Sequence, residues 1–581
     1  MKNSDYLLKE LIKSLNKALT LNQPSILESA LTSLSLNNSY SDEQSITLFT
    51  SDDFSKPAFL HCQQIVNSLI NAGFNIDCIR LPASHYVGSL PSHEILEIAN
   101  SPLNLCSANQ QIIEVCGPFH ECPQFNDLLS CLDLERNSAF CDLMHALNTF
   151  LNRLPIQEIF DFSIFGFPAV MYASRDLSLT YKTSLEDIDT QLDVSRLLRL
   201  CKMAIWAAVM IAASGALNPY SIYTNTYTSS MIFAVFAKQR SRHTSIVRMV
   251  DPHFCSLMQL NNVVSFLPAP PYGNQVNSLE TLRLLNRYKL SKNTADSVRF
   301  WVANRVCGTD RSAYSRPVDK RSVGHQSTLI NRIRDCKMAG GKIISAFTSS
   351  PDETVCQLNE YILLHYDLSH LSAPPYPNQE EWLESLFHFF GTERPSDLLV
   401  VRVHPRLAAD MRGLGESTAK EKILGRYRSA SRQYNNIVIV PPDDQLSSYQ
   451  LGLESDLSLT AYSSISLELA LINVPVMQAF IRTKYGASAL SPLALSRSVY
   501  ESVSAYHDAL RDCLDRIGTD SVNNPHVLDR DEAAKALICN KLGFVIDLDS
   551  SSSLHEALIS PKSLLHPLQF LFSQNFLIAD C

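Results

Sequence analysis

The sequence lacks the excess of positive charge that is typical of nucleic-acid-binding domains, because its formal net charge is -9 at pH 7. We therefore expect no nucleic-acid partner. The start, residues 1–6, also lacks the basic, apolar and small-residue segments of a secretory signal. The longest apolar run, residues 203–217, is short for a bilayer span and is typical of a buried helix. These absences predict a cytoplasmic protein.

Paired cysteine spacing is also lacking, although the chain has 15 cysteines. No Cys-x-x-Cys occurs, and the group Cys116, His120 and Cys122 does not have the two-plus-two spacing of a structural zinc site. Without a secretion signal, the cysteines are expected to be reduced and mostly buried. Neither a Gly-x-Gly-x-x-Gly fingerprint nor a Walker loop is present, which excludes the two common glycine-rich nucleotide motifs.

What the sequence does have is an alternation of apolar strands and helices that occurs twice. A chain of 581 residues is too long for one hydrophobic core, so two large domains are expected. The first alternation contains a strand at 46–49, the turn Thr50-Ser51-Asp52-Asp53, a helix at 57–72 and a strand at 74–79. Such strand–helix–strand units predict a parallel sheet. Further strands are expected at 112–115, 221–224, 245–250, 343–347, 398–403, 436–440, 457–460 and 474–480.

The predicted fold class is therefore α/β, with two Rossmann-like domains facing an interdomain cleft. The expected organisation is a helical extension at 1–41, an N-terminal domain at 42–300, a connection at 301–340, a C-terminal domain at 341–545 and a tail at 546–581 that packs back on the N-terminal domain. In such sheets ligands bind beyond the carboxyl ends of the strands. Polar residues that directly follow a predicted strand are thus the candidates for a site.

The first candidate follows the strand at 343–347 and reads Ser349-Ser350-Pro351-Asp352-Glu353. Ser350 has the character of a helix N-cap, Pro351 of the first helical residue and Glu353 of the acid in a capping box. A helix start explains the motif by itself. The functional alternative, which is compatible with it, is that Ser349 and Ser350 line the cleft and contact a ligand.

The second candidate, Arg402-Val403-His404-Pro405, ends the strand at 398–403. Alternation along a strand places Arg402 and His404 on one face. A guanidinium beside an imidazole is suited to binding a phosphate and to neutralising it as it leaves. The alternative is a histidine that only binds nearby backbone.

The third candidate lies between the strand at 457–460 and a helix predicted at 464–472. With Ser464 as N-cap, free N–H groups and the hydroxyls of Ser463, Ser464 and Ser466 would form an anion site at the helix start. Glu468, one turn further, is placed to accept hydrogen bonds from ribose hydroxyls. The alternative is an ordinary capped helix.

The order of these elements resembles the bacterial capsule polysaccharide biosynthesis family, which includes Kdo transferases of the GT-B fold. The resemblance covers about residues 340–480. It includes 347–353, the His404-Pro405 pair, the Asp443 to Tyr449 segment, the two serines and Val474-Pro475-Val476. More distantly, the chain is similar to polysialyltransferases and CDP-glycerol glycerophosphotransferases. It departs from the family at Tyr462 and Asn473, where glycines are common.

The resemblance implies that His404, Ser463 and Ser464 contact the phosphate of a nucleotide and that Glu468 holds the ribose. It also implies a GT-B glycosyltransferase with a nucleotide-sugar donor, CMP-sugars being favoured. The acceptor would be a growing surface polysaccharide or glycolipid. In the N-terminal half only Asn225 matches, which implies a contact to the acceptor.

A catalytic base or nucleophile is expected from the N-terminal domain. Asp52 and Asp53 follow the first strand, and Asp251 and His253 follow another. A carboxylate there could deprotonate an acceptor hydroxyl or attack the sugar carbon. For both pairs a solvated turn or a helix cap is the alternative interpretation.

No metal or other cofactor is expected. GT-A enzymes hold a metal with an Asp-x-Asp pair. Of the two matches, 187–189 is expected in a helix, and 547–549 lies near the end of the sequence, far from a suitable first Rossmann unit. Basic clusters at 238–243 and 311–321 are commonly solvated faces. They also admit peripheral contact with the inner membrane, where lipid-linked acceptors lie.

Two other functions stay open at this point. A CDP-glycerol-type phosphotransferase would use the same nucleotide site, and a non-catalytic GT-B-like scaffold in polysaccharide assembly would need no base. Product analysis separates the first from a glycosyltransferase, and nucleotide binding separates the second.

Overall fold

The computed structural model describes most of the C-terminal half of the chain and parts of the N-terminal half. The described residues are 2–35, 45–51, 75–81, 138–184, 188, 194–214, 220–224, 232, 235–236, 243–248, 263–268, 288–307, 327–354, 375–408, 416–461, 463, 465–479, 482–483, 486–487, 500, 502–517, 524–542, 544–547 and 577–579.

Helices in these ranges pack against one another in the N-terminal half and against the second sheet in the C-terminal half. They are α1 Lys2–Leu21, α2 Ser25–Ser35, α3 Ser138–Arg153, α4 Ile156–Asp161, α5 Ala169–Tyr181, α6 Val194–Ser214, α7 Lys292–Cys307, α8 Ser327–Met338, α9 Gln379–Thr392, α10 Lys420–Ser431, α11 Ser448–Glu454, α12 Ile465–Leu471, α13 Val503–Arg516 and α14 Arg530–Leu542. Short 3-10 helices span Pro351–Thr354 and Pro405–Leu407.

The strands form two large sheets and three strand pairs. They are β1 Ser45–Ser51, β2 Asn75–Leu81, β3 Ser163–Ile164, β4 Phe167–Pro168, β5 Tyr220–Thr224, β6 His243–Arg248, β7 Val263–Pro268, β8 Tyr288–Leu290, β9 Ile343–Phe347, β10 Leu398–Arg402, β11 Ile437–Val440, β12 Leu457–Thr460, β13 Val476–Gln478, β14 Arg482–Thr483, β15 Gly486–Ala487, β16 Phe544–Asp547 and β17 Leu577–Ala579.

The first sheet has the order β16-β7-β6-β5-β1-β2. Strands β2, β1, β5 and β6 are parallel, whereas β7 and β16 run antiparallel at one edge. The second sheet is parallel throughout and has the order β11-β10-β9-β12-β13. Two such sheets in succession confirm the predicted α/β, GT-B-like class with two Rossmann-like units and an N-terminal helical extension.

The second sheet forms because its strands are short apolar runs between helix signals. All five residues of β9 and of β10 are buried, as is typical of central parallel strands. Side chains cap the helices that cover them. Asn378 accepts a hydrogen bond from the N–H of Glu381 at 2.8 Å, and Ser502 accepts one from the N–H of Ala505 at 3.1 Å.

The apolar core is divided between the two units. In the N-terminal half, α1, α2, α3 and α6 bury their leucines and alanines against one another. In the C-terminal half, α9, α10 and α13 cover one face of the second sheet, with Trp382, Phe387 and Tyr506 fully enclosed. Residues 203–214 of the long apolar run lie in α6, which packs in the core of the N-terminal half. Within the described ranges, no helix has the length and apolar composition needed to cross a bilayer.

Several predicted elements match the structure, and others differ from it. The strands at 343–347 and 457–460 are confirmed at both ends. The helix expected to start at Pro351 does begin there, and its described part, Pro351–Thr354, is a 3-10 helix. The helix at 57–72 and the strand at 112–115 lie outside the described residues. The predicted domain boundaries stay predictions.

Candidate functional site

The carboxyl ends of the strands in the second sheet lie at one level. Arg402 pairs with Val440 on one side and with Phe347 on the other, and Thr460 pairs with Phe347 and Gln478. The segments that follow these strands therefore leave the sheet along the same edge. This edge is the ligand-binding side of an open α/β sheet, and it contains the described residues of all three motifs.

The segment after β9 is buried and tied to its surroundings. The backbone N–H of Ser349 donates to Oε1 of Gln379 at 2.6 Å, and Nε2 of Gln379 donates back to the carbonyl of Ser349 at 3.3 Å. The hydroxyl of Ser350 donates to the carboxylate of Asp352. By contrast, Oγ of Ser349 has no hydrogen-bond partner although the residue is only 2% exposed. A buried hydroxyl without a partner is rare and needs an explanation.

His404 is fixed at the end of β10 by two hydrogen bonds. Its backbone N–H donates to Oγ1 of Thr348 at 2.9 Å, and its ring Nδ1 accepts from the backbone N–H of Arg406 at 3.1 Å. Because Nδ1 is an acceptor, the proton of the neutral ring is assigned to Nε2.

Burial lowers the pKa of His404 from its usual 6.5 to about 4. The charges of Arg406, Arg402 and Lys182 also lower it, while the carboxylate of Asp352 opposes them. At neutral pH the imidazole is therefore uncharged.

A buried ion pair lies beside this histidine. Oδ2 of Asp352 accepts from Nε of Arg406 at 2.8 Å and from its Nη2 at 2.7 Å. Ser350 and Asp352, which follow β9, are thus linked to Arg406, which follows β10. The first two candidate motifs therefore form one network of hydrogen bonds and an ion pair.

Arg402 reaches in another direction. Its guanidinium donates to the carbonyls of Pro441 and Asp444, the second at 3.2 Å, in the loop that follows β11. The side chain is buried and holds this loop against the sheet. Its positive charge adds to the burial that lowers the pKa of His404.

Lys182 brings a residue of the N-terminal half to the same edge. It follows α5 in the left-handed region, with φ at 54°, and its Nζ donates to the carbonyl of Ala408 at 2.7 Å. Oγ of Ser417 donates to the carbonyl of Lys182 at 2.8 Å. A left-handed lysine is uncommon and is retained only where its surroundings hold it. Sequence reasoning missed Lys182 because its position depends on packing between the two halves.

The third motif forms a chain of hydrogen bonds at the ends of β12 and β13. Oγ of Ser466 donates to the carbonyl of Ser463 at 2.8 Å and accepts from Nε2 of Gln478 at 2.5 Å. The hydroxyl proton of Ser466 is donated to Ser463, so Ser466 can only accept from Gln478. The amide of Gln478 must therefore direct its Nε2, and not its Oε1, towards Ser466. Oε1 of Gln478 then has no partner, although the residue is only 2% exposed.

Gln478 is a second residue that sequence reasoning missed. Its position at the carboxyl end of the predicted strand 474–480 was an available signal, because the same criterion selected Arg402 and Ser463.

Glu468 lies in a separate buried cluster. It accepts a hydrogen bond from the hydroxyl of Tyr449 and forms an ion pair with Nη2 of Arg305 at 3.4 Å. The guanidinium of Arg305 also lies over the ring of Trp301, 4.6 Å from its centroid. Burial and the charge of Glu468 raise the pKa of Tyr449 well above its usual value. The carboxylate thus connects α12 to α7.

Some predicted residues cannot be located relative to this edge. Asp52, Asp53, Asn225, Asp251, His253 and Ser464 lie outside the described residues. Their roles stay predictions. Among the described residues, no group of three or more His, Cys, Asp and Glu side chains could hold a metal ion; metal independence likewise stays a prediction.

Comparison with known proteins gives this chain no family. No family model matches it, and no curated protein matches its sequence. Similar solved structures include the UDP-GlcNAc 2-epimerase of Neisseria meningitidis bound to UDP-GlcNAc, with a TM-score of 0.23 and 9% identity over 85% of this chain and 98% of that one. The enzyme of the same name from Methanocaldococcus jannaschii has a TM-score of 0.27 and 10% identity over 86% and 100%. Similarity this low carries no argument about activity, so a function must be argued from the residues.

Proposed function

We propose that this chain is a GT-B glycosyltransferase of the capsule polysaccharide kind. Its donor would be a nucleotide-activated sugar, with CMP-sugars favoured, and its acceptor a growing surface polysaccharide or glycolipid. The observation that carries the proposal is the set of cationic and hydrogen-bonding groups at the carboxyl edge of the second sheet. These are the groups that a nucleotide phosphate and a sugar require.

The charge at this edge favours an anion. Among the described residues whose charges act on His404, Arg406, Arg402 and Lys182 are positive and Asp352 is negative. The cations outnumber the carboxylate and leave an excess of positive charge around a neutral imidazole. A diphosphate or a phosphodiester would compensate this excess in a partly buried setting, where Coulomb interactions are strong.

The protonation state of His404 can change with the charge of a bound phosphate during the reaction. An approaching anion raises the pKa of a neighbouring imidazole, because it stabilises the charged form. The ring would then take up a proton on binding. A protonated ring beside the leaving phosphate stabilises the negative charge that develops there and can return the proton to it.

The two buried atoms without partners supply the polar contacts. Oγ of Ser349 can donate to a phosphate or sugar oxygen, and Oε1 of Gln478 can accept from a hydroxyl or an amino group. Leaving such an atom unsatisfied costs about 1–3 kcal/mol, which a ligand would recover on binding. The ribose contact proposed for Glu468 requires its carboxylate to release Arg305 and Tyr449.

The acceptor side of the proposal rests on the sequence alone. We propose Asp52, Asp53, Asp251 or His253 as the source of the base or nucleophile and Asn225 as an acceptor contact. Peripheral contact with the inner membrane through the basic cluster at 311–321 belongs to the same proposal. Removing its charges should weaken binding to vesicles that contain anionic lipids.

The first experiment is thermal unfolding of the purified chain with CMP, CDP, UDP, GDP and ADP. A ligand at 100 times its dissociation constant stabilises the native state by about 2.7 kcal/mol, which is readily seen in the midpoint. We expect one nucleotide to raise the midpoint of the wild type and His404→Asn to reduce that shift. His507→Asn is the matched control, since His507 binds Ser385 at 2.8 Å between α9 and α13, away from the edge.

If no nucleotide raises the midpoint, the proposal is wrong and a scaffold becomes the better explanation. If a nucleotide binds, product analysis decides the reaction. Sugar transfer leaves every phosphate on the nucleotide, whereas a CDP-glycerol-type transfer moves one phosphate to the acceptor.

A further inference from the structure

A cavity that the residues of the three motifs do not line lies between two helices of the C-terminal half. Helices α8 and α11 pack over β9, and between them is a cavity of about 430 Å³. None of Ser349, His404 and Gln478 lines it. Its volume lies within the usual range of about 300–1,000 Å³ for small-molecule sites.

The wall of this cavity is mostly apolar. Ile333, Leu446 and Leu451 are buried and form its interior. At its opening Ile330 is 37% exposed and Met338 is 72% exposed. Large apolar side chains left in water around an apolar opening favour a ligand that covers them.

Two polar groups of the lining are available to a ligand. Oε1 of Gln450 is buried and has no hydrogen-bond partner. The guanidinium of Arg334 donates to the neutral amide of Asn331 at 2.5 Å and has no carboxylate partner among the described residues. The neighbouring cation differs, because Lys337 is paired with Glu454 at 3.0 Å. The carboxylate of Asp444 also lines the cavity and accepts from the backbone N–H of Leu446 at 2.8 Å, in the loop after β11. The cavity thus offers an acceptor beside an apolar wall and, on α8 at its opening, a cation without a carboxylate partner among the described residues.

We propose that this cavity binds an anionic amphiphile, an organic acid with an apolar body and one N–H or O–H donor. The apolar body fills the space along Ile333 and Leu451. The acidic group lies at the opening, where it compensates the charge of Arg334. The donor satisfies Oε1 of Gln450, which removes the cost of an unpaired buried acceptor.

The test uses N-decanoylglycine, which combines an alkyl chain, an amide N–H and a carboxylate, below its micelle concentration. Its binding to the full chain is measured by calorimetry, together with that of its methyl ester and of decanoate. We expect saturable binding at one site. The ester, which lacks the charge, and decanoate, which lacks the N–H, should each bind about three- to tenfold more weakly.

Variants locate the site. Ile330→Trp places a large ring at the opening and should abolish binding, whereas Leu453→Trp, at a residue that is 52% exposed and does not line the cavity, should not change it. Arg334→Gln should remove the preference for the acid over the ester. Gln450→Met should remove the preference for N-decanoylglycine over decanoate.

The proposal is overturned if N-decanoylglycine does not bind the wild type at about 1 mM, because a dissociation constant of this size already corresponds to weak binding. Unchanged binding to a folded Ile330→Trp variant would place the amphiphile elsewhere and overturn it too. Equal affinity for the acid and the ester would refute the role of Arg334. These outcomes do not depend on nucleotide binding, so the cavity and the strand-end site are tested separately.

Discussion

Acidification should destabilise the protein through His404. The pKa of this ring is about 4 in the folded chain and close to 6.5 when it is exposed, because burial disfavours the charged form. Well above pH 6.5 the ring is neutral in both states and contributes nothing to the pH dependence. As the pH falls from 6.5 towards 4, the unfolded chain binds the proton first, so the free energy of unfolding decreases.

The size of this effect follows from the two pKa values. Between pH 7 and pH 5, the difference in protonation lowers the free energy of unfolding by about 2 kcal/mol. Asparagine at position 404 can still accept the hydrogen bond from the backbone N–H of Arg406, because asparagine is a good helix cap. His404→Asn therefore removes the titration and retains the cap.

Urea unfolding at pH 7 and pH 5 measures the effect in both proteins. Other groups also titrate in this range, so the informative quantity is the difference between wild type and variant. We expect the wild type to lose about 2 kcal/mol more than His404→Asn between the two pH values. Equal losses would refute the reasoning, because they would mean that the folded state does not disfavour the protonated ring.

Three further predictions concern the network around this histidine and the separate cluster of Glu468. Asp352→Asn should lower the free energy of unfolding in urea by about 3 kcal/mol, because the charge of Arg406 stays mostly buried without its carboxylate partner. The control is Asp512→Asn, which breaks an exposed ion pair and should cost less than about 1 kcal/mol. Ser349→Ala should leave stability within about 0.5 kcal/mol of wild type and weaken nucleotide binding in the thermal assay, since its hydroxyl has no partner in the free protein. Glu468→Gln should cost about 2–4 kcal/mol in urea unfolding, because its arginine partner stays buried without a countercharge; a change below 1 kcal/mol would mean that the pair contributes little.

The second sheet could be predicted from the sequence because its strands are determined locally. β9 and β12 are apolar runs bounded by polar turns, and their limits were predicted correctly. The proline after His404 likewise fixed the end of β10. These signals need no knowledge of distant parts of the chain.

The side-chain network could not be predicted in the same way. The hydroxyl of Ser350 donates to Asp352, and Asp352 accepts from Arg406, 54 positions further on. Capping rules predict neither contact, and the role of Ser350 as an N-cap stays a prediction. Lys182 reaches the site from another part of the fold, 226 positions before the carbonyl that it binds. Contacts over such distances depend on tertiary packing, which neither periodicity nor capping rules describe.

β16 has a consequence for the synthesis of the chain. This strand covers the edge of β7 in the first sheet, yet it follows the whole second sheet in sequence. Until residue 547 has left the ribosome, the first sheet has an unpaired edge, which is a site for wrong pairing with another chain. Domains usually fold from the N-terminus onwards during synthesis. Here all strands of the second sheet are synthesised before β16, the last strand of the first sheet. A chain that stops before 544 would therefore retain an open edge at β7.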